Sequence, residues 1–346
     1  MELDRNNVRW AVWASVTIAL AAFMVACEAD PKPTPVGRTP DDQATQTPVP
    51  SAPSPTQEPI DIGPGAAPIK STSASAVSFS PSGDLLAAVN PDSNSVSIVD
   101  PTGLVRLGEV SVGIDPRTVA FSPDGSVAYV TNFGSGTVSK LDPISMGVEE
   151  EWVVGPKPYG VVATAQSVFV THLLTDTITV LRAGTGEVSD RMTVGAFPAG
   201  MALADEAQTL LVTHLYSGEL TAIDTESLSV AWVLSTGVDS NLSQFVIVGP
   251  DEQFAYLPQT KTNTENPYMV FDDTVFPVVN AVDLTSAQLS RSGRITLDTA
   301  DEPVNMPFAM AISADASSAF IANAGSNDVS IIDLATGRGL GHIDVG

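Results

Sequence analysis

Two histidines are the first residues in this chain whose type and placement can do chemistry. His172 closes the word Phe169-Val170-Thr171-His172, and His214 closes Leu211-Val212-Thr213-His214. A pair of imidazoles on one face can bind a metal ion or a carboxylate. Alternatively, each ring caps a local backbone group, with one nitrogen donating and the other accepting. Equivalent residues of neighbouring repeats diverge radially, so one shared ion is not expected and no metal site is assigned. The third histidine, His342, reads as a surface residue of an outer strand. A second candidate is the irregular stretch from Thr260 to Val275, with Tyr268, Met269, Phe271 and the paired carboxylates Asp272 and Asp273, and Phe276 just after it. Such carboxylates touch a cation or simply sit in water. The aromatic residues are too apolar for plain decoration, so the stretch is expected to fold over a face or meet a partner. His172, His214, Tyr268, Asp272 and Asp273 thus form the candidate ligand face.

Other chemistries are excluded by composition. Cys27 is the only cysteine. No disulfide can form within the chain, no thiolate metal cluster can assemble, and no Cys-x-x-Cys-His word exists to attach a c-type haem. Neither a Gly-x-Ser-x-Gly elbow nor a His-Glu-x-x-His helix is written. No catalytic residue and no cofactor are assigned.

The elements that position these residues are repeated. In residues 116 to 142, Thr118 to Phe121 is a strand and Ser122-Pro123-Asp124-Gly125 a turn, with Pro presetting φ and Gly closing. Val127 to Thr131 is a second strand, Asn132-Phe133-Gly134-Ser135-Gly136 a second turn, Thr137 to Asp142 a third strand and Val148 to Val154 a fourth. Six copies align on the first strand, at Phe79, Phe121, Ala163, Leu203, Val248 and Ile312. The period is about 40–45 residues, the signature of a propeller blade, with one longer interval where the irregular stretch lies. One blade cannot bury both faces of its sheet, and radial stacking does so. The expectation is an all-β propeller of four-stranded antiparallel blades, with six repeats visible in residues 60 to 346. The rival, a β-sandwich with coincidental turns, does not explain six aligned copies. Ile60-Asp61-Ile62-Gly63 has the form of the strand endings Val110-Ser111-Val112-Gly113 and Val153-Val154-Gly155. It reads as the outer strand of one more blade. The ring would then be seven-bladed when complete, with roughly 40 further residues beyond Gly346.

The word Tyr129-Val130-Thr131-Asn132, between that turn and Val138 to Asp142, resembles the YVTN family of β-propeller repeats over residues 60 to 346. The family is similar in plan to other seven-bladed propellers of the bacterial cell envelope. The resemblance implies a binding or scaffold protein and no catalytic residues. This chain departs from the word at His172, His214 and Gln259.

Residues 1 to 27 read as a targeting segment. Arg5 and Arg9 precede the uncharged apolar run Trp10 to Ala26, and Met24-Val25-Ala26-Cys27 resembles a bacterial lipobox. Cleavage before Cys27 and acylation of its sulfur would anchor the protein in a membrane from the extracytoplasmic side. A retained transmembrane anchor is the alternative. Residues 28 to 59 are rich in Pro and Thr, hold little to bury, and read as a semi-rigid spacer.

The formal net charge is −25, from 15 basic and 40 acidic residues. Phosphate contacts need clustered Lys and Arg, so nucleic acid is not expected as a partner. The expected function is a lipid-anchored extracytoplasmic propeller that binds a protein or carbohydrate partner, without enzymatic activity. The alternative is the propeller portion of a redox enzyme, fused to or paired with a c-type cytochrome or di-haem peroxidase domain beyond residue 346.

Overall fold

The computed structural model describes Thr72 to Val345, apart from Val238, residues 263–274, residues 298–302 and Ala314. The expected signal segment with Cys27, the spacer and Ile60 to Gly63 therefore lie outside the described residues. Every regular element described is a β-strand, and the strands form six antiparallel sheets, one per repeat. Blade 2 shows the plan: Pro116–Phe121 innermost, then Ala128–Asn132, Thr137–Asp142 and Gly147–Val153 outermost. These bounds fall within two residues of those expected from the repeat. Blade 1 begins at Val77–Phe79, blade 3 at Pro158–Ala163, blade 4 at Pro198–Ala204 and blade 6 at Pro307–Ile312. In blade 5 the inner position is taken by two short pieces, Ser240–Asn241 and Ile247–Val248.

Side-chain polarity fixes these elements. The turn between the first two strands of blade 2 is tied by Asp124, whose Oδ1 accepts from Ser122 Oγ at 2.6 Å and from Ser126 N at 3.1 Å. Blade 6 repeats the device: Asp315 accepts from Ser313 Oγ and Ser317 N, bonds that hold its carboxyl down to about 2. The third strand ends in Asp in five blades because that carboxylate accepts from backbone N–H groups of the next turn, as Asp142 does from Ile144 and Ser145.

Packing is blade on blade. Five apolar cores lie between blades 1 and 2, 2 and 3, 3 and 4, 4 and 5, and 5 and 6. Each holds several fully buried Val, Leu or Ile side chains, worth about 1.5–3 kcal/mol apiece. Among the described residues no such core joins blade 6 to blade 1. Strand Ala128–Asn132 is buried on both faces, whereas Ser318–Asn323 of blade 6 alternates buried and half-buried residues. Val77 and Phe79 of blade 1 are 47% and 43% exposed, and Phe308 of blade 6 is 37% exposed.

Candidate functional site

The two histidines occupy matching places, and each is used up by its own blade. His172 ends the strand Ser167–His172 and is 1% exposed; His214 ends Thr209–His214 and is fully buried. His172 Nδ1 lies 2.8 Å from the Pro156 carbonyl and Nε2 lies 2.8 Å from Thr179 Oγ1. His214 repeats this with Ala196 O at 3.1 Å and Thr221 Oγ1 at 2.9 Å. A carbonyl can only accept, so Nδ1 carries the proton and Nε2 accepts from the threonine hydroxyl. Arg191 Nη1 donates to the same Thr179 oxygen at 2.8 Å, which fits a threonine that donates to His172. Burial pushes both imidazoles below the usual histidine range, so they stay neutral. Among the described residues, no three of His, Cys, Asp and Glu stand together as metal ligands.

The repeat places Asn132 in the second turn, with Phe133 to Gly136. In blades 2, 3, 4 and 6 the residue at this place is the buried last residue of the second strand, and it ties that strand to the third. Asn132 Nδ2 donates to Thr137 Oγ1 at 3.0 Å and Ser139 Oγ at 2.8 Å. Asn90 bonds Ser95 and Ser97, and Asn323 bonds Asp328 and Ser330. In blade 5, Gln259 takes the place, donating to Ser243 and accepting from Thr236 and Asn280. The sequence carries the signal of this tie. A Ser or Thr stands seven residues after each Asn or His, at 97, 139, 179, 221 and 330.

The rest of the word Tyr129-Val130-Thr131-Asn132 joins blades. Tyr129 packs on Trp152 at 5.5 Å between ring centres and donates its hydroxyl to Ala183 O of blade 3. Thr131 Oγ1 donates to Tyr159 O of blade 3 at 2.6 Å, and Thr171 Oγ1 to Ala199 O of blade 4 at 2.8 Å. Val130 faces the other way, into the core with blade 1.

The remaining expectations divide. Tyr268, Asp272 and Asp273 lie outside the described residues. The stretch around them is shorter than expected, because its arms are strand: Thr260 pairs with Pro277, Lys261 with Phe276 and Thr262 with Val275. Phe276 therefore belongs to the sheet. His342 is on the outer strand Arg338–Asp344 as expected but is not a surface residue. Its side chain is 14% exposed and lies 3.7 Å from Asp328.

No family model matches this chain, and no curated protein sequence does. Solved structures do. Hydrazine synthase from Kuenenia stuttgartiensis superposes with a TM-score of 0.68 at 22% identity, covering 75% of this chain and 76% of that one. The β-propeller domain of Cps50 (Swd1) from Myceliophteria thermophila superposes with a TM-score of 0.62 at 12% identity, covering 80% and 88%. The chain is a β-propeller. At these identities the likeness is one of fold.

The propeller axis holds a feature that the repeat did not announce. Before blade 1, residues 72 to 76 run along the axis as a strap against the inner strands. Ala74 N donates to Met201 O at 2.7 Å and Leu203 N to Thr72 O at 2.9 Å, on blade 4. Val119 N of blade 2 donates to Ser75 O at 2.8 Å. Small residues line its path: a β-carbon on Gly160 of blade 3 would stand 2.6 Å from Ala199 O and 2.9 Å from Thr171 Oγ1, and 3.4 Å from the β-carbon of Ala74. Beside the strap is a cavity of about 450 Å³, lined on one side by Val77, Phe79, Phe308 and Phe320 and on the other by Arg117 and Tyr159. Tyr159 donates to Gln244 Oε1 at 3.1 Å, and its burial pushes the phenol up. Arg117 pairs with Asp115 at 2.9 Å and lies 5.1 Å from the centre of the Phe133 ring.

Proposed function

We propose that this chain is a lipid-anchored, extracytoplasmic YVTN-like propeller that serves as a binding or scaffold module and is not an enzyme. The observation that carries the reading is the use made of the residues with chemistry in them. His172 and His214 spend both ring nitrogens on their own blades, and Thr131 and Thr171 spend their hydroxyls on the next blade. What is left open toward a partner is shape: an apolar axial cavity and the blade 5 hairpin. The occupant is a protein or carbohydrate. Nucleic acid does not suit a chain of net charge −25. A role beside redox chemistry, as part of a larger haem enzyme, draws on the hydrazine synthase likeness, which is one of fold. A Cys-x-x-Cys-His word in the coding sequence beyond Gly346 would favour that role.

The ring is seven-bladed in this reading, with one further four-stranded sheet between blades 6 and 1. The half-exposed faces of those two blades support it, since each is apolar and neither has a neighbour sheet among the described residues.

Anchoring is tested by replacing Cys27 with Ser and following the protein by detergent phase partitioning and intact mass. The wild-type chain should enter the detergent phase, carry the mass of acyl groups and begin at Cys27; the variant should do none of these. Unchanged membrane attachment and mass would favour the transmembrane alternative.

A further inference from the structure

The polar tie of blade 5 crosses the whole blade. It runs from Ser243 through Gln259 and Asn280 to Arg294, each side chain bonded to the next, and the first three are fully buried. Arg294 Nε donates to Asn280 Oδ1 at 2.6 Å, and Nη2 donates to the Thr236 carbonyl at the end of blade 4 at 3.3 Å. The outer strand Gln288–Thr296 is bulged to bring the arginine here. Val279 pairs with Ile295 and Ala281 with Ser290, so residues 291–294 stand against Asn280 alone. In blade 3, Arg191 holds the matching place opposite Thr179, and the bulge beside it is a single residue. Bulges re-aim side chains. This one sets Arg294 at a cavity of about 370 Å³ between blades 4 and 5, bounded by Ser235, Thr236, Gly237 and Asp239 on one side and by Leu289 and Arg294 on the other. A guanidinium has five N–H groups, and two of these are engaged. Among the described residues, no carboxylate stands within ion-pair distance of Arg294.

We propose that this cavity binds a carboxylate, gripped by the free edge of the Arg294 guanidinium. This rests on the reading of the chain as a binding module and gives that module a ligand class. A planar carboxylate accepts two parallel N–H bonds from a guanidinium, and a fork already held by Asn280 and Thr236 loses little freedom on binding. The charges also match. Asp239 is paired with Lys261 at 2.9 Å, so the cation left for the ligand is Arg294 alone. A single negative charge balances it, whereas the nearby Asp239 carboxylate repels a second one and disfavours a phosphate dianion. Leu289 gives the carbon skeleton an apolar wall. The carboxylate belongs to an acidic peptide side chain or to a uronic acid, the two sources that a protein or carbohydrate partner supplies.

The test is a ligand-observed NMR titration of the full chain with two pairs of probes: N-acetylglutamate amide against N-acetylglutamine amide, and methyl glucuronoside against methyl glucoside. In at least one pair the acid should bind at least about tenfold more tightly than its neutral counterpart, and that pair identifies the source. Arg294→Gln should abolish the preference. That variant also disturbs Asn280, so Ser235→Trp accompanies it. Ser235 is exposed at the cavity wall and takes no part in the bonds to Arg294. Ser235→Trp should weaken the acid about tenfold with an unchanged thermal melt. Arg191→Gln, at the matching place in blade 3, should leave binding as it was. Equal binding of acid and neutral probe in both pairs would overturn the proposal. So would acid binding that survives both Arg294→Gln and Ser235→Trp, an equal loss in Arg191→Gln, or inorganic phosphate that binds more tightly than either acid. Absence of binding by both acids up to about 10 mM would also overturn it, and would leave the anchored-module reading to the Cys27→Ser result.

Discussion

At positions 172 and 214, histidine does more than the asparagine of blades 1, 2 and 6. Its second nitrogen reaches a carbonyl of the preceding loop, Pro156 or Ala196, as well as the hydroxyl on the third strand. The price is pH sensitivity. Burial lowers both folded-state pKa values, so below about pH 6.5 the unfolded chain takes up protons that the folded chain refuses. The stabilisation is complete above the unfolded value and is lost as pH falls toward the folded one. Urea unfolding between pH 7.5 and 5 should show stability dropping by at most about 1.4 kcal/mol per pH unit for each ring. The double variant His172→Asn, His214→Asn should fold and lose this component of the slope, whereas His172→Ala, which orphans Thr179 and Pro156, should cost roughly 1–3 kcal/mol at every pH. An unchanged slope in the double Asn variant would remove the histidines from the account. The sequence placed these residues in register across blades, but burial was hidden. Whether a strand-end polar side chain points to solvent or into the sheet depends on the neighbouring blade, and only the hydroxyl seven residues on betrays the inward choice.

Strands and turns were legible because their causes are local. Period-two apolar runs, Ser-Pro-Asp-Gly turns and terminal Asp residues each act within a few positions, and they gave the strands of blade 2 to within two residues. What failed was the irregular copy. A hairpin arm such as Thr260 to Thr262 with Val275 to Pro277 has no repeat to be compared with, so paired strand looked like loop. The axial strap was missed for a similar reason: its pairing partners, Ala202 and Val119, are distant in sequence, and Ser-Thr-Ser-Ala-Ser-Ala carries no strand signal of its own. At this scale the account predicts that residues 263–273 serve binding and not folding. The arms below them already close the hairpin, so bridging Thr262 to Thr274 with a short Gly-Ser linker should move the melting temperature little. A large fall would make the stretch part of the packed core.

For the whole molecule, stability is a chain of nearest-neighbour interfaces, five of them with buried apolar cores. Among the described residues, blades 2 to 5 have such a core on both sides, and blades 1 and 6 on one. The strap compensates in part, since it ties the start of blade 1 across the axis to blades 2 and 4. The uncovered surface holds large apolar side chains, Val77, Phe79 and Phe308, of a kind the other blades bury. A sheet that filled this gap would bury them, at about 25 cal/mol per Å² of apolar surface. Native-state hydrogen exchange across residues 72 to 345, read blade by blade, tests this most directly. The account predicts slow exchange in blades 2 to 5 and fast, sub-global opening of blades 1 and 6. Uniform protection of all six blades in one cooperative unit would contradict it.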